Sequence, residues 1–178
     1  MDIPTATEQE FQAAIKPLRW VLILVMAIAL QYLITIYVFT MSARIKTFRG
    51  RIMEQFNKEH NEAFPEQQRA PQFGYPDSGN GRYAQKLPYA DWYRMNNGQR
   101  CQINFLEHFN FVTLVPMIVA IKAPVAALVL LIAIFTGRLM FSIGYTKFGP
   151  KARIPGALIM DLAIFVAFGY MIYACIKM

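Results

Sequence analysis

Long uncharged stretches alternate with polar ones along this chain, and their lengths are those of membrane-spanning helices. The first stretch runs from Trp20 to Ala43 without a charged residue. A helix of about 20 apolar residues crosses the roughly 30 Å hydrocarbon layer of a bilayer. Three further apolar stretches follow, and none shows the alternation typical of barrel strands. The pattern predicts four transmembrane helices at residues 20–43, 101–121, 124–146 and 155–176.

We therefore expect residues 1–178 to form a single all-α domain, an integral membrane four-helix bundle. The connection between the first two helices, residues 44–100, is by far the longest. Connections of this length are usually functional or disordered. Seven aromatic residues between Phe64 and Tyr93 favour an ordered loop that packs at the membrane surface. By contrast, the short Lys122–Pro124 connection predicts a tight turn between antiparallel neighbours.

The positive net charge of +7 is distributed in a way that indicates membrane orientation. Of the 18 Lys and Arg residues, 14 fall in segments 44–100 and 138–153, which a four-span topology places on one side. Such segments face the cytosol, or the matrix of a mitochondrion. Orientation therefore explains most of the basicity, and no nucleic-acid recognition module is recognisable. We expect a multi-pass protein of the endoplasmic reticulum or a mitochondrial membrane.

The few cysteine and histidine residues exclude several kinds of site. Cys101 and Cys175 are predicted near opposite membrane faces, too far apart for a disulfide within one chain. His60 and His108 lie in a loop and a span, without the spacing of metal ligands, so no metal site is expected. Cys101 and His108 are about 10 Å apart along a helix, beyond the reach of a nucleophile and its base.

A polar stripe at the start of the second span is the most informative feature. Arg100, Asn104 and Glu107 stand at positions i, i+4 and i+7 of one helix face, and Gln102 lies in the same turn. Ionisable groups at this depth normally face protein or a water-filled cavity rather than lipid. The stripe therefore predicts either a polar site or pairing between helices.

The third span carries a second stripe of this kind at its C-terminal end, where Arg138, Phe141 and Tyr145 stand at i, i+3 and i+7 of one helix face. The predicted topology brings this end to the same membrane face as the first stripe. It also brings Arg44, after span one, and Arg153, before span four, to that face. We expect these groups to converge on one recess near the interface.

A recess of this composition suits a small anionic ligand. Arginine grips carboxylates in bidentate fashion, a carboxylate receives an ammonium group, and an amide binds an amide. Glutathione has all of these groups, and its thiol ionises more readily beside an arginine. From these residues alone, pairing within the bundle is an equal alternative. Asp161, inside span four, is interpreted as a buried partner for Arg138 or Arg153, with a proton relay as the alternative.

Three segments resemble the MAPEG superfamily of microsomal glutathione transferases and leukotriene-forming synthases. The sequence "RCQINFLEHF" resembles the family's Arg-Ala-x-x-Asn-x-x-Glu signature, with Cys101 where alanine is usual. The segment "GRLMFSIGYTKFGPKARIPGAL", residues 137–158, resembles the region from span three to span four. The tripeptide "SAR", residues 42–44, matches the end of span one. Together the resemblance covers all four spans.

The resemblance implies a homotrimer that binds glutathione between neighbouring protomers, near the cytosolic face. An arginine after span three stabilises the glutathione thiolate in some members, and Arg153 is the nearest equivalent here. His108 stands where a tyrosine that contacts glutathione is common, and Phe141 replaces a second tyrosine. The implied glutathione-binding residues are Arg44, Arg100, Gln102, Asn104, Glu107, His108, Arg138 and Tyr145.

Two functions remain open at the level of sequence. The first is a membrane glutathione transferase or peroxidase, in which the thiolate attacks a lipophilic electrophile or hydroperoxide dissolved in lipid. The second is a non-catalytic MAPEG-like scaffold, or an accessory subunit of a larger hetero-oligomeric assembly such as a respiratory complex. The changes at His108 and Phe141 and the long connection motivate the second.

Overall fold

The computed structural model describes residues 6–74 and 77–177, and nearly all of them are helical. Four helices in this part of the chain are long and apolar enough to cross a membrane, which confirms the predicted all-α membrane fold. Each ends close to its predicted boundary, but the first two begin more than ten residues before theirs. The helical segments are α1 (Ala6–Ile34), a π-helical segment (Thr35–Met41), α2 (Ser42–Thr47), α3 (Arg51–Ala63), a 3₁₀ turn (Gln72–Gly74), α4 (Arg82–Gln85), α5 (Tyr89–Lys122), α6 (Pro124–Phe148), a 3₁₀ turn (Pro150–Arg153) and α7 (Ile154–Ile176).

The first spanning rod runs without a break through α1, the π-helical segment and α2. A π-helical turn rotates the side chains that follow it relative to a regular helix. The Thr40 hydroxyl in this segment donates a hydrogen bond to the carbonyl of Gly98 on α5, at 2.9 Å. A Cβ atom at Gly98 would lie 3.0 Å from the Phe39 carbonyl oxygen. Glycine therefore lets α5 approach the end of the first rod closely.

Helix α6 lies at the centre of the bundle and contacts α1, α5 and α7. Apolar side chains from all four spans meet in one core, which includes Ile28, Phe105, Leu131 and Met160. The α5–α6 turn contains a single non-helical residue, Ala123, whose φ of −141° and ψ of 73° lie outside the helical region that a following proline disfavours. This confirms the predicted tight turn.

Helices α6 and α7 approach each other over two pairs of small residues. A Cβ atom at Gly137 would lie 2.8 Å from the carbonyl oxygen of Gly156. A Cβ atom at Gly144 would collide with the Ala152 carbonyl. Small residues at such contacts allow close backbone packing in membranes. The basic side chains at the ends of these helices are held at a fixed separation as a result.

The long connection is ordered and has its own small core, as predicted. Phe48, Phe56 and Met95 are buried together, and Tyr83 stacks on Phe56 with ring centroids 4.1 Å apart. Glu59 pairs with both Arg82 and Lys86. The connection is not loop throughout, because residues 44–47, 51–63 and 89–100 are helical. Residues 75 and 76 of this predicted loop, like residues 1–5 and 178 of the domain, lie outside the described residues.

Candidate functional site

The nine residues selected from the sequence do not share one recess in a single chain. Arg138 lies inside the bundle, Arg44 lies under the long connection, and Arg100 is exposed on the outside of α5. The expected convergence on one recess is therefore not seen within a single chain. Hydropathy placed all of them at the same depth in the membrane, but depth does not determine which side of a helix faces its neighbours.

Arg138 is fully buried, and groups within the protomer surround its guanidinium. Its Nη1 donates a hydrogen bond to Asn104 Oδ1 at 2.7 Å, and its Nη2 donates to the carbonyl of Cys101 at 3.2 Å. The Phe105 and Phe141 rings lie on it, with centroids 4.0 and 4.6 Å from Cζ. Such contacts stabilise a buried cation. Arg138 and Asn104 thus join α5 to α6.

A second cluster lies closer to the basic membrane face, around Tyr145. The Tyr145 ring packs edge-on against Phe141, and both rings are buried with Cys101. The Arg153 guanidinium lies over Tyr145 and Phe141, with Cζ at 5.1 and 5.7 Å from the ring centroids. In the described part of the chain, Arg153 has no hydrogen-bonded or ion-paired side-chain partner. Its charge is thus available to an anion.

The Tyr145 hydroxyl has no hydrogen bond to any residue that the structure describes. The buried Ser142 hydroxyl, one helical turn before Thr146, lies beside the Cys101 thiol. This end of α6 therefore carries an unused hydroxyl group, that of Tyr145, beside an arginine.

Arg44 and Gln102 line a different, small cavity of about 160 Å³, on another side of α5. Arg44 is only 4% exposed. It donates to the Gly74 carbonyl at 3.0 Å and, more weakly, to Gln99 Oε1 at 3.4 Å. Cavities that hold drug-sized ligands measure about 300–1,000 Å³. This cavity alone is therefore too small for a tripeptide, although it could accept one end of it.

Arg100 and Glu107 are exposed on α5, a helix that crosses the membrane. Neither side chain has an ion-pair partner within 4 Å among the described residues. Charged groups at this depth are costly against lipid. His108 is half-buried, and its Nδ1 lies 2.9 Å from the Asn104 carbonyl of its own helix.

Helix α5 thus presents two polar edges. Asn104 and Arg100 mark the edge next to α6, whereas Gln102 marks the edge next to α2 and the long connection. Between the edges lie Ile103, 39% exposed, and Leu106, 59% exposed. An apolar strip flanked by polar groups is the arrangement expected where another protein surface covers a helix.

Sequence reasoning missed Gln99 and Gly74, both of which bind Arg44. Gly74 has φ of +69°, and the Phe48 ring leaves no room for a side chain there. A glycine in an aromatic-rich loop was the only available signal, and it does not identify a partner. Asp161 forms no ion pair within 4 Å with any described residue, so its interpretation as a salt-bridge partner is not supported.

In the part of the chain that the structure describes, no three His, Cys, Asp or Glu side chains lie close enough together to bind a metal ion. The two cysteines are free thiols, Cys101 buried and Cys175 exposed.

Comparison with known proteins supplies the context for this geometry. No curated protein and no solved structure matches the chain. The model of the MAPEG family matches residues 20–173, which include all four spans and both polar edges of α5. This extends the resemblance of three segments to most of the sequence. The chain is a multi-pass integral membrane protein that belongs to the MAPEG family.

Proposed function

We propose that this protein is a membrane glutathione transferase or peroxidase whose site forms between two protomers of a homotrimer. The observation that carries the proposal is the half-buried Arg153 guanidinium, which lies on two aromatic rings without an anionic partner in the described chain. An arginine in this position can stabilise a thiolate, the reactive form of the glutathione sulfur.

The donor set fits glutathione when two chains contribute to it. Arg100 can bind a carboxylate, Glu107 can receive the ammonium group, and the Tyr145 hydroxyl can donate to the sulfur. These groups lie at the α6 edge of α5. Arg44 and Gln102, at the opposite edge, would come from the neighbouring protomer. In a closed ring of identical chains, each interface joins one patch of a chain to a different patch of its neighbour. The two edges of α5 can therefore meet across such an interface.

The proposed transferase reaction needs only groups that bind and orient. The glutathione thiolate forms a bond to the electrophilic carbon of a lipophilic substrate, and the leaving group departs with the electron pair. In the peroxidase reaction two glutathione molecules are oxidised to the disulfide while a hydroperoxide is reduced to an alcohol and water. Glutathione would come from the aqueous side and the other substrate from lipid, so that proximity supplies much of the rate.

Measurement of turnover in mild detergent tests this proposal. Conjugation of 1-chloro-2,4-dinitrobenzene and reduction of cumene hydroperoxide are the two assays. We expect Arg153→Ala to lower kcat about 10²-fold, the usual cost of one donor at a developing anion. Arg100→Ala should mainly raise the KM for glutathione. The control Arg69→Ala, an exposed arginine in the long connection, should change neither. Normal turnover in both site variants would refute the proposal.

A second function, that of a non-catalytic scaffold or accessory subunit, has its own support. The long connection already supplies a carbonyl to Arg44, and Arg138 and Asn104 satisfy each other inside the bundle. Three of the glutathione-binding residues implied by the family are thus engaged within the protomer. Equilibrium dialysis with radiolabelled glutathione discriminates the two functions. No binding, together with an assembly that is not trimeric, would favour the scaffold.

A further inference from the structure

A cavity of about 750 Å³ lies away from the residues assigned to glutathione. It opens where the first spanning rod ends, between the beginning of α5 and the end of α6. None of the nine predicted site residues lines it. Its volume falls in the range of cavities that hold organic ligands. Its walls include Val38, Phe39, Lys46, Arg49, Ile52, Asp91, Arg94 and Lys147.

Basic side chains dominate the polar part of this cavity. The only acidic residue among the lining residues, Asp91, pairs with Arg94 at 2.8 Å. Lys46, Arg49 and Lys147 are exposed and form no ion pair with any residue in the described ranges. Three cations, on α2, on the connection between α2 and α3, and on α6, therefore face one space without a counter-ion from the described residues. Such a space attracts an anion.

The other part of the cavity is apolar and continues into the lateral surface of the bundle. Val38, Phe39 and Ile52 line it, and Val38 is 55% exposed on a membrane-spanning rod. The close contact of Gly98 with the Phe39 carbonyl closes the back of the cavity. The space thus has a cationic mouth at the basic membrane face and an apolar side open toward the hydrocarbon layer.

We infer that this cavity binds an anionic phospholipid from the leaflet at the basic face. Its phosphate contacts Lys46, Arg49 and Lys147, and its acyl chains lie along Val38. Basic pockets between transmembrane helices on the cytoplasmic or matrix side bind anionic headgroups in general. A soluble phosphate compound would use the cations but leave the open apolar side without a role. The combination of both parts selects a lipid.

Native mass spectrometry of the full-length protein in detergent tests this inference. Dioleoyl phosphatidylglycerol should bind at least about tenfold more tightly than dioleoyl phosphatidylcholine. The triple variant Lys46→Gln, Arg49→Gln and Lys147→Gln should lose this preference. The control triple variant removes the same charge from exposed residues outside the cavity and should keep it; its changes are Lys58→Gln, Arg69→Gln and Lys151→Gln.

A charge-preserving variant distinguishes loss of charge from a general effect of substitution on folding. Lys46→Arg, Arg49→Lys and Lys147→Arg together should retain the preference for phosphatidylglycerol. Three outcomes would overturn the inference. Equal binding of the two lipids would exclude charge selection, and displacement by millimolar inorganic phosphate would assign the cavity to a free anion. Dissociation of the oligomer in the cavity variant, with lipid binding unchanged, would make it an interface between copies.

Discussion

At the residue scale, burial gives different roles to two arginines, Arg138 on α6 and Arg153 in the 3₁₀ turn that follows α6. Arg138 is 0% exposed, and its hydrogen bonds end on Asn104 and Cys101 of the same chain. Arg153 rests on aromatic rings at the membrane face and has no such partners in the described chain. The first arginine therefore stabilises the protomer, and the second is the one that we propose acts on a ligand.

Replacement of Arg138 by methionine should destabilise the fold. The change leaves Asn104 Oδ1 without its donor, and an unsatisfied buried group costs about 1–3 kcal/mol. Unfolding in mixed micelles with increasing dodecyl sulfate measures the free energy of unfolding. The exposed control Arg69→Met should stay within about 0.5 kcal/mol of wild type. Equal stability of the two variants would contradict the structural role of Arg138.

At the element scale, the contact between α6 and α7 determines how the polar groups at the ends of these helices are separated. Gly137→Ala should lower the free energy of unfolding by about 1–3 kcal/mol, because the added Cβ would lie 2.8 Å from the Gly156 carbonyl oxygen. Gly169 on α7 is a matched control, since a Cβ there meets nothing within 4 Å. Gly169→Ala should be neutral or stabilising by up to about 1 kcal/mol. The same micelle titration compares them, and equal losses would exclude a specific packing contact.

The carboxylate of Asp77 stabilises the loop before α4, which lies in the long connection outside the membrane. Burial raises the pKa of Asp77, but backbone N–H donors, chiefly Ala84, Gly79 and Gly81, lower that pKa below its ordinary value of 3.8. The corresponding hydrogen bonds measure 2.6, 2.7 and 2.9 Å. A carboxyl group with a lowered folded-state pKa stabilises the fold above its unfolded pKa and loses this effect as pH falls through the folded value.

We therefore expect the loop to loosen as the pH falls below 3.8 and through the lower folded-state pKa of Asp77. Trp92 reports on this region, because its Nε1 donates to the Gly79 carbonyl at 3.1 Å. In a Trp20→Phe background, acid should change the Trp92 fluorescence. Asp77→Asn should abolish this transition, whereas the exposed control Glu62→Gln should preserve it. Persistence of the transition in Asp77→Asn would assign it to another group.

The spanning helices were predictable because hydropathy and helix length report depth in the membrane. Residues 89–100 were predicted as loop but are helical. Hydropathy did not predict them because this polar part of α5 extends beyond the hydrocarbon layer. Helix α3 was missed for the same reason, although Phe56 on it is buried against the connection. The direction in which Arg44 and Arg138 point follows from helix rotation and from the long connection, which composition does not report.

At the scale of the whole molecule, the exposed surface of one chain has an apolar part that suits lipid and a charged part that suits a second protomer. Apolar side chains such as Met26 and Leu30 face outward along the first rod, as expected for contact with lipid. Arg100 and Glu107 are exposed on α5, a helix that crosses the membrane, where lipid is a poor neighbour. A second protomer that covers α5 would satisfy these charges and would bring Arg44 of one chain toward Arg153 of another.

Complementation between two inactive variants tests this sharing of the site most directly. Chains that carry Arg44→Gln and chains that carry Arg153→Ala would be co-expressed with different tags, and mixed trimers would be isolated with both tags. Each variant alone should have little glutathione conjugation. A closed ring of three chains that contains both variants has one interface of its three with both arginines intact, so the isolated mixed trimers should regain roughly a third of wild-type turnover. Mixed trimers no more active than either variant alone would contradict a site shared between protomers.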